Sequence, residues 1–262
     1  MVSLRDALAH SHNLATVRLL DKVGIKNVIE FSRSVGLTSP LQGDLSLGLG
    51  SSSVGLMELT SVYGVFLNQG TRVEPFAVKA VFDNARKAIE TAQPEAHEVI
   101  AKETAYLITN MMEDVVQKGT GQAAKTLGRP IAGKTGTTND ARDNWFIGST
   151  PDLTIGIYIG FDEPRTLGPG SFETGGGNAV PIYENIAKTV FRGKPPTPFR
   201  IPPGLRLVNT TYEGGAIQEA FKPGTEPGAD GAVTSIDGTS GALIGGGAAG
   251  GSDSSFTGQG TY

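Results

Sequence analysis

The stretch that decides the fold covers residues 128–140 and reads GRPIAGKTGTTND. It can be divided into motifs in two ways. The first eight residues, from Gly128 to Thr135, fit the phosphate-binding pattern G-x-x-x-x-G-K-[ST] letter for letter. This pattern holds a nucleotide only when a buried strand precedes the loop and a helix follows it, because the first amides of that helix bind the phosphate.

The residues around this stretch do not favour a nucleotide site. The sequence GTTND at 136–140 is a poor helix start, and the next apolar run begins at Asn144. A parallel crossover requires about a dozen residues or more, usually in a helix. Pro130 also makes the lead-in a poor central strand, because proline cannot donate to the ladder. A P-loop-type nucleotide binder is therefore the least favoured of three hypotheses.

The second division starts at Lys134 and gives the motif K-T-G-T. Far upstream, the motif S-x-N at residues 11–13 lies at a predicted break between two helices, residues 4–10 and 14–23. Either motif alone is a weak signal, and their value comes from the glycine-bounded segments around them. These segments are DLSLGLG at 44–50, KGTG at 118–121, DNWFIG at 143–148, GIYIGFD at 156–162 and GGG at 175–177.

In type and order, these segments resemble the transpeptidase domain of the class A penicillin-binding proteins, bifunctional enzymes that build bacterial peptidoglycan. The superfamily carries S-x-x-K, S-D-N or a related S-x-N, and K-T-G motifs, and this chain has the second and third. The resemblance covers nearly all of residues 2–195. It implies an α+β fold like that of the serine β-lactamases and penicillin-binding transpeptidases, an antiparallel sheet flanked by helices, with the N-terminal part missing.

Hydrophobic periodicity gives the same fold class from the residues alone. The first two thirds of the domain are mainly helical in pattern, with Asn13 as a predicted N-cap of the second helix. After Gly128 the apolar runs shorten, which predicts a strand near 129–132 and then an antiparallel hairpin over 144–161. A closing helix is predicted over 179–191. Helices followed by strands indicate an α+β domain.

Composition divides the chain into three predicted parts. Residues 1–194 form the transpeptidase domain without its S-x-x-K part. Residues 195–222 form a proline-rich linker, because five prolines lie between positions 195 and 203 and exclude a helix there. Residues 223–262 contain 12 glycines in 40 positions, which predicts a disordered tail.

The resemblance implies three catalytic residues, Ser11, Asn13 and Lys134. Acyl transfer from a D-alanyl-D-alanine peptide requires a nucleophilic hydroxyl, a base, oxyanion donors and an acid for the leaving amine. By resemblance, Ser11 relays a proton toward that amine and Asn13 hydrogen-bonds the donor peptide. Lys134 supplies positive charge to Ser11 and to the substrate carboxylate.

The resemblance also implies three substrate-binding residues, Thr135, Gly136 and Thr137. The two threonine hydroxyls are expected to bind the terminal carboxylate of the peptide. The backbone N–H of Thr137 is expected to be one oxyanion donor. Gly136 is expected to let the acyl chain approach the strand closely, because it has no Cβ.

The nucleophile motif itself is absent from the sequence. None of the eleven lysines has a serine three positions before it. Since S-x-x-K precedes S-x-N in the family, we expect a truncated domain, with the first sheet strands, the glycosyltransferase domain and any membrane anchor in the missing part. The chain alone is then expected to be inactive. The second hypothesis is a non-catalytic remnant or binding module of the same fold.

Charge and residue types narrow the expected partners. Residues 223–262 hold four acidic side chains and no basic one, which leaves 22 of each sign in residues 1–222. A neutral body argues against nucleic acid. Cysteine is absent and His10, His12 and His97 show no ligand spacing, so neither a metal nor a cofactor is expected.

The resemblance supplies the remaining expectations about partners and location. The partners it implies are peptidoglycan stem peptides, with β-lactams as inhibitors. The longest nearly continuous apolar stretch, residues 153–161, is well below the length of about 20 residues that spans a bilayer. By the resemblance, the expected location is the periplasmic, extracytoplasmic side of the bacterial cell membrane, reached through the missing N-terminal part. The sequence predicts no oligomeric state.

Overall fold

The computed structural model describes residues 2–168, 174–212, 215–226, 232–234 and 240–242. The chain divides into two compact units, Met1–Leu205 and Arg206–Tyr262. The helices of the first unit are α1 (Leu4–Ala9), α2 (Asn13–Val23), α3 (Ile25–Ser34), α4 (Leu56–Leu67), α5 (Lys102–Gln117) and α6 (Val180–Val190). Its strands are β1 (Thr71–Val73), β2 (Ala80–Phe82), β3 (Ala88–Thr91), β4 (Ala96–Glu98), β5 (Ala132–Thr137), β6 (Asp143–Thr150) and β7 (Leu153–Gly160).

Short helical turns complete the first unit. Three of them are 3-10 turns, at Leu45–Leu49, Gln122–Leu127 and Asn139–Ala141, and a π-helical turn at Gly175–Ala179 leads into α6. The helices and the antiparallel sheets together confirm the predicted α+β class.

The main sheet has the strand order β5-β6-β7, with both pairings antiparallel. The predicted hairpin is present, and its turn follows the pair Thr150–Leu153. The first strand begins later than predicted, at Ala132, and runs through the K-T-G motif. A search for apolar runs misses it because two of its residues are glycines. A Cβ on Gly133 would lie 2.9 Å from the Phe146 ring, so that close packing requires glycine.

Helices α1 and α2, which lie on either side of the S-x-N motif, also differ in detail from the prediction. Ser3 caps α1, since its hydroxyl accepts from the Asp6 N–H at 3.0 Å. The prediction of Asn13 as N-cap of α2 is wrong. His12 takes that position without a side-chain cap bond, and α2 starts at Asn13 itself. The sequence analysis did not predict α3, which follows directly on Gly24 with its positive φ of 92°.

The main core lies between the sheet and helices α5 and α6. Phe146 of β6 and Tyr183 of α6 are fully buried and meet edge to face, with ring centroids 4.9 Å apart. Val116 of α5 and Val180 of α6 close the same cluster. Burial of such side chains contributes about 1.5–3 kcal/mol each. This cluster therefore holds α5 and α6 against the sheet that contains the K-T-G strand.

The opposite face of the sheet is covered by α4. A Cβ on Gly156 of β7 would lie only 2.0 Å from the Thr60 hydroxyl oxygen of α4. A second, smaller core joins α4 and α5 to the chain segments next to α3 and α5. Its buried residues are Val35 just after α3, Val65 of α4, Ile100 just before α5 and Ala105 of α5. Helices therefore flank the sheet on both faces, as the fold class requires.

The second unit contains two antiparallel strand pairs within its described residues. The first is β8 (Arg206–Tyr212) with β9 (Gly215–Phe221), and the second is β10 (Ala232–Thr234) with β11 (Ser240–Ala242). The β8–β9 hairpin falls inside the range assigned to the linker and was not predicted. Proline, which excludes regular ladders, is absent between positions 206 and 221. Most of the tail predicted to be disordered, 223–262, lies outside the described residues.

Candidate active site

The site is built where the end of α1 meets strand β5. Helix α1 is anchored to α5 by Arg5, whose side chain is almost fully buried. Its guanidinium donates to the Asn110 carbonyl oxygen at 3.1 Å, to the Asn110 side-chain oxygen at 2.6 Å and to Asp114 at 3.0 Å. Charge-assisted bonds of this kind are the stronger ones. These bonds fix the start of α1 on α5.

The last turn of α1 is held by the loop that follows α5. The Thr120 N–H donates to the Ala9 carbonyl oxygen at 3.1 Å. A Cβ on Gly119 would lie 2.1 Å from that same oxygen, so only glycine lets the two segments approach this closely. The K-G-T-G segment at 118–121 is thus a support for the residues just after α1.

Ser11 occupies a left-handed turn between α1 and α2. Its φ of 58° is uncommon for a residue with a Cβ. The turn is closed by the His12 N–H, which donates to the Ala7 carbonyl oxygen at 2.9 Å, and by the Ser11 N–H, which donates to Leu8 at 3.3 Å. Uncommon backbone conformations of this type cluster at functional sites. Here the turn carries the Ser11 hydroxyl on the exposed rim of the domain.

Lys134 of β5 reaches that hydroxyl across 123 positions of sequence. Its ammonium donates to the Ser11 Oγ at 2.9 Å and to the Thr135 carbonyl oxygen at 2.9 Å. Burial lowers the pKa of Lys134 from 10.5 to about 8. The side chain therefore stays mostly charged at neutral pH, yet releases its proton far more readily than a surface lysine. This pair can hold a proton and pass it on.

The threonines of the K-T-G-T segment point to one face of β5, because side chains alternate along a strand. The Thr135 hydroxyl shares a 2.6 Å hydrogen bond with the Thr120 hydroxyl. The Thr137 hydroxyl accepts from the Gly175 N–H at 3.0 Å, which leaves its own proton to donate. Two hydroxyls on one strand face can both donate hydrogen bonds to a carboxylate.

Gly136 lies in a tight layer between β6 and the GGG segment. A Cβ on Gly136 would lie 3.1 Å from the Trp145 Cβ, and one on Gly175 would lie 2.5 Å from the Gly136 carbonyl oxygen. A Cβ at position 136 would therefore require the Trp145 side chain to shift by a few tenths of an ångström, whereas one at position 175 would clash with the backbone. Asn13 begins α2 two residues after Ser11, and its side chain is exposed.

The structure thus brings Ser11 and Lys134 into direct contact and places Thr135 and Thr137 on the adjacent strand face. Sequence reasoning missed Thr120, the partner of Thr135, although the K-G-T-G segment that contains it was noticed. It also found no metal-ligand spacing among the histidines. The structure places potential ligand atoms of Asp6, His10 and His12 within 4.8 Å of one another, so the spacing argument was insufficient.

The phosphate-binding interpretation fails on geometry. The Lys134 and Thr135 pair lies in the middle of β5. The chain then continues through a short 3-10 turn into β6, which pairs antiparallel with β5. In the described residues no helix starts at the motif, and a P-loop needs helical amides there.

The fold and the site together define a class of protein. A serine hydroxyl at a helix break, hydrogen-bonded by the lysine of a K-T-G strand, is the arrangement expected where the S-x-N and K-T-G motifs of the penicillin-recognising serine enzymes meet. A model of the penicillin binding protein transpeptidase domain matches residues 1–188. The chain belongs to this family.

Relatives and solved structures agree with this assignment. The chain is 39% identical over 236 residues to penicillin-binding protein 1A of Aquifex aeolicus, covering 86% of this chain and 32% of that protein. It is 34% identical over 218 residues to penicillin-binding protein 1A of Neisseria lactamica, covering 80% and 27%. The chain therefore spans about a third of the length of the curated relatives it matches.

Among solved structures, penicillin-binding protein 1A from Haemophilus influenzae superposes with a TM-score of 0.80 at 27% identity, covering 87% of this chain and 41% of that one. The PonA1 protein from Mycobacterium tuberculosis, solved in complex with penicillin V, gives a TM-score of 0.65 at 23% identity, covering 76% and 59%. This second likeness concerns the fold alone. Among the described residues, none of the helices is long and apolar enough to cross a membrane.

Proposed function

We propose that this chain carries the S-x-N and K-T-G half of a peptidoglycan D,D-transpeptidase site. The complete protein would cross-link stem peptides that end in D-alanyl-D-alanine through a serine acyl-enzyme. The observation that carries the proposal is the 2.9 Å hydrogen bond from Lys134 to Ser11. It joins the two motifs at the place where the family's chemistry requires them.

In the proposed acylation step, the serine of an S-x-x-K motif attacks the carbonyl carbon of the penultimate D-alanine. An ester bond forms and the peptide C–N bond breaks. The serine proton passes to its lysine base, and Ser11 delivers a proton to the leaving amine of the terminal D-alanine. Lys134 can restore the Ser11 proton, because its burial lowers its pKa to about 8. A second amine then attacks the ester carbonyl, so that a new peptide C–N bond forms and the ester C–O bond breaks. The nucleophilic serine recovers its proton from its lysine, and the proton lost by the attacking amine returns through Ser11 to Lys134.

The remaining residues are proposed to position the substrate. The Thr135 and Thr137 hydroxyls would bind the terminal carboxylate, and both lie on the strand face described above. The Thr137 N–H would be one oxyanion donor. Gly136 would let the acyl chain lie along β5, and Asn13 would hydrogen-bond the donor peptide's amide. No step requires a metal or an organic cofactor.

The wider organisation is proposed on the same basis. Residues 1–194 would be the domain, which agrees with the match over residues 1–188. The ranges 195–222 and 223–262 would be a linker and a tail. The protein would act on the periplasmic side of the cell membrane, with β-lactams as inhibitors. The relatives named above are all penicillin-binding proteins by name, which supports this location and this inhibitor class.

Fluorescent-penicillin labelling tests the proposal. The protein to use is this chain joined to its upstream segment carrying S-x-x-K, in wild-type form and as Lys134→Met. We expect the wild type to label and the variant to label at least about 100-fold more slowly, since acid–base groups contribute about 10²–10⁴-fold. Lys26→Met is the matched control, because that ammonium is 88% exposed on α3.

Two results would count against the proposal. Equal labelling rates in the Lys134→Met and Lys26→Met proteins would remove Lys134 from the site. An upstream segment without S-x-x-K, together with no labelling of the longer protein, would favour the second hypothesis, a non-catalytic binding module. The absence of a nucleophile motif from the sequence is the observation that keeps that hypothesis open.

A further inference from the structure

A cluster of one carboxylate and two imidazoles lies beside the Ser11 turn. One oxygen of Asp6 is 3.0 Å from the His10 Nδ1, and its other oxygen is 3.4 Å from the His12 Nε2. All three potential ligand atoms lie within 4.8 Å of one another. Both histidine side chains are more than 40% exposed, so the cluster opens to solvent.

The fold brings these residues together in two ways. Asp6 lies on α1 and His10 is the C-cap of that helix four positions later, so the two side chains lie on the same side of the helix end. His12 joins that face because Ser11 has a φ of 58° and reverses the chain direction. In an extended chain, residues 10 and 12 would point to the same side but lie far from Asp6. The left-handed turn brings the His12 ring to within 5.9 Å of the His10 ring.

The distances suit a metal ion bound at one point. Zinc lies about 2.0–2.1 Å from imidazole nitrogen and carboxylate oxygen, so tetrahedral ligand atoms are about 3.3 Å apart. Each imidazole nitrogen already lies at nearly that spacing from one oxygen of the Asp6 carboxylate, His10 at 3.0 Å and His12 at 3.4 Å. With one ligand atom from each residue the three atoms lie within 4.8 Å of one another, so rotation of the exposed rings and of the carboxylate would have to bring them onto one ion. Two imidazoles and one carboxylate form a ligand set used by zinc and related ions, with a fourth position open to water.

We propose that Asp6, His10 and His12 form a binding site for one divalent transition-metal ion of the zinc class. An ion bound there would tie the end of α1 to the residue after Ser11. The turn that carries the Ser11 hydroxyl would then be held by metal–ligand bonds as well as by backbone hydrogen bonds. The proposal does not depend on the transpeptidase activity, because the three ligands lie in the chain itself.

Metal titration of the tag-free chain tests this site. Zn²⁺ binding would be measured by competition with a chromophoric chelator, and Co²⁺ would report coordination through its visible absorption. We expect one ion per chain, with four-coordinate Co²⁺ spectra. Asp6→Asn and His12→Gln should each weaken binding by about tenfold or more, because each removes one ligand of three. His97→Gln is the matched control, since His97 is an exposed histidine on β4 paired only weakly with Glu95 at 4.0 Å.

The same variants separate metal binding from simple ion pairing. Circular dichroism and thermal melting in a chelator would show that each variant is folded. Added Zn²⁺ should raise the melting temperature of the wild type and of His97→Gln, and should raise it much less in His12→Gln. The proposal is overturned if the wild type binds no ion, which would leave Asp6 as an ion-pair partner of the histidines alone. Equal Zn²⁺ affinity of the wild type and His12→Gln would overturn it as well.

Discussion

The buried ammonium of Lys134 should make the stability of this chain depend on pH in a specific window. Its pKa is lowered from 10.5 to about 8 by burial. The unfolded chain keeps this proton up to about pH 10.5, while the folded chain releases it near pH 8. Between these values the unfolded state binds more protons, so the free energy of unfolding rises with pH.

The size of the effect follows from the shift. Each pH unit inside the window is worth about 1.4 kcal/mol for one such group. From pH 8 to pH 9.5 the wild type should therefore gain up to about 2 kcal/mol relative to a variant without the lysine. Lys134→Met keeps an unbranched side chain, shorter by one atom, and removes the charge. We therefore expect the free energy of unfolding of the wild type to rise relative to that of Lys134→Met across this interval.

Urea unfolding at several pH values, followed by the fluorescence of the single tryptophan, Trp145, measures the difference. The quantity compared is the difference in free energy of unfolding between the wild type and Lys134→Met, because other groups also titrate in both proteins. Burial raises the pKa of Tyr63 to about 12, so that residue stabilises the fold below pH 10 and loses this contribution at higher pH. Stopping at pH 9.5 and subtracting the variant removes that effect.

The control is Lys26→Met, which removes a lysine that is 88% exposed and should show no pH-dependent difference from the wild type. A flat difference between the wild type and Lys134→Met from pH 7 to pH 9.5 would refute the argument. It would mean that solvent reaches the Lys134 ammonium well enough to keep its pKa near that of a surface lysine, and that the Ser11 hydroxyl has no readily released proton beside it.

Three further predictions concern two glycines and one buried hydroxyl. Gly119→Ala should destabilise the chain by about 1–3 kcal/mol, because the new Cβ would meet the Ala9 carbonyl oxygen at 2.1 Å. Gly64→Ala, a mid-helix position with open space, should instead be stabilising by about 0.5–1 kcal/mol, and both are measured by urea unfolding. Tyr183→Phe should stabilise the chain by about 1 kcal/mol, because the buried hydroxyl has no hydrogen-bond partner among the described residues. A lower melting temperature for Tyr183→Phe would contradict this.

The sequence was sufficient for the fold class and for the type of site, because both depend on local patterns. The Ser3 cap, the hairpin between β6 and β7 and the K-T-G motif are all short-range features. The strand β5 was placed too early, since its glycines hide it from a hydrophobicity argument. Gly133 is required by the close approach of Phe146 and Gly136 packs tightly on Trp145, and this packing is a tertiary property that no local pattern contains.

The contacts that position the site were beyond sequence reasoning for the same reason. The motif S-x-N indicated which residues matter, but the helix α1 that leads into the Ser11 turn is held by contacts to α5 and to the loop after it, far along the chain. Arg5 and the segment Gly119–Thr120 make those contacts, and none of these residues belongs to the S-x-N or K-T-G motif. The same left-handed turn that aims the Ser11 hydroxyl at Lys134 also places His12 beside Asp6. One backbone conformation therefore underlies both the Ser11–Lys134 contact and the approach of His12 to Asp6, and residue spacing along the sequence does not contain that conformation.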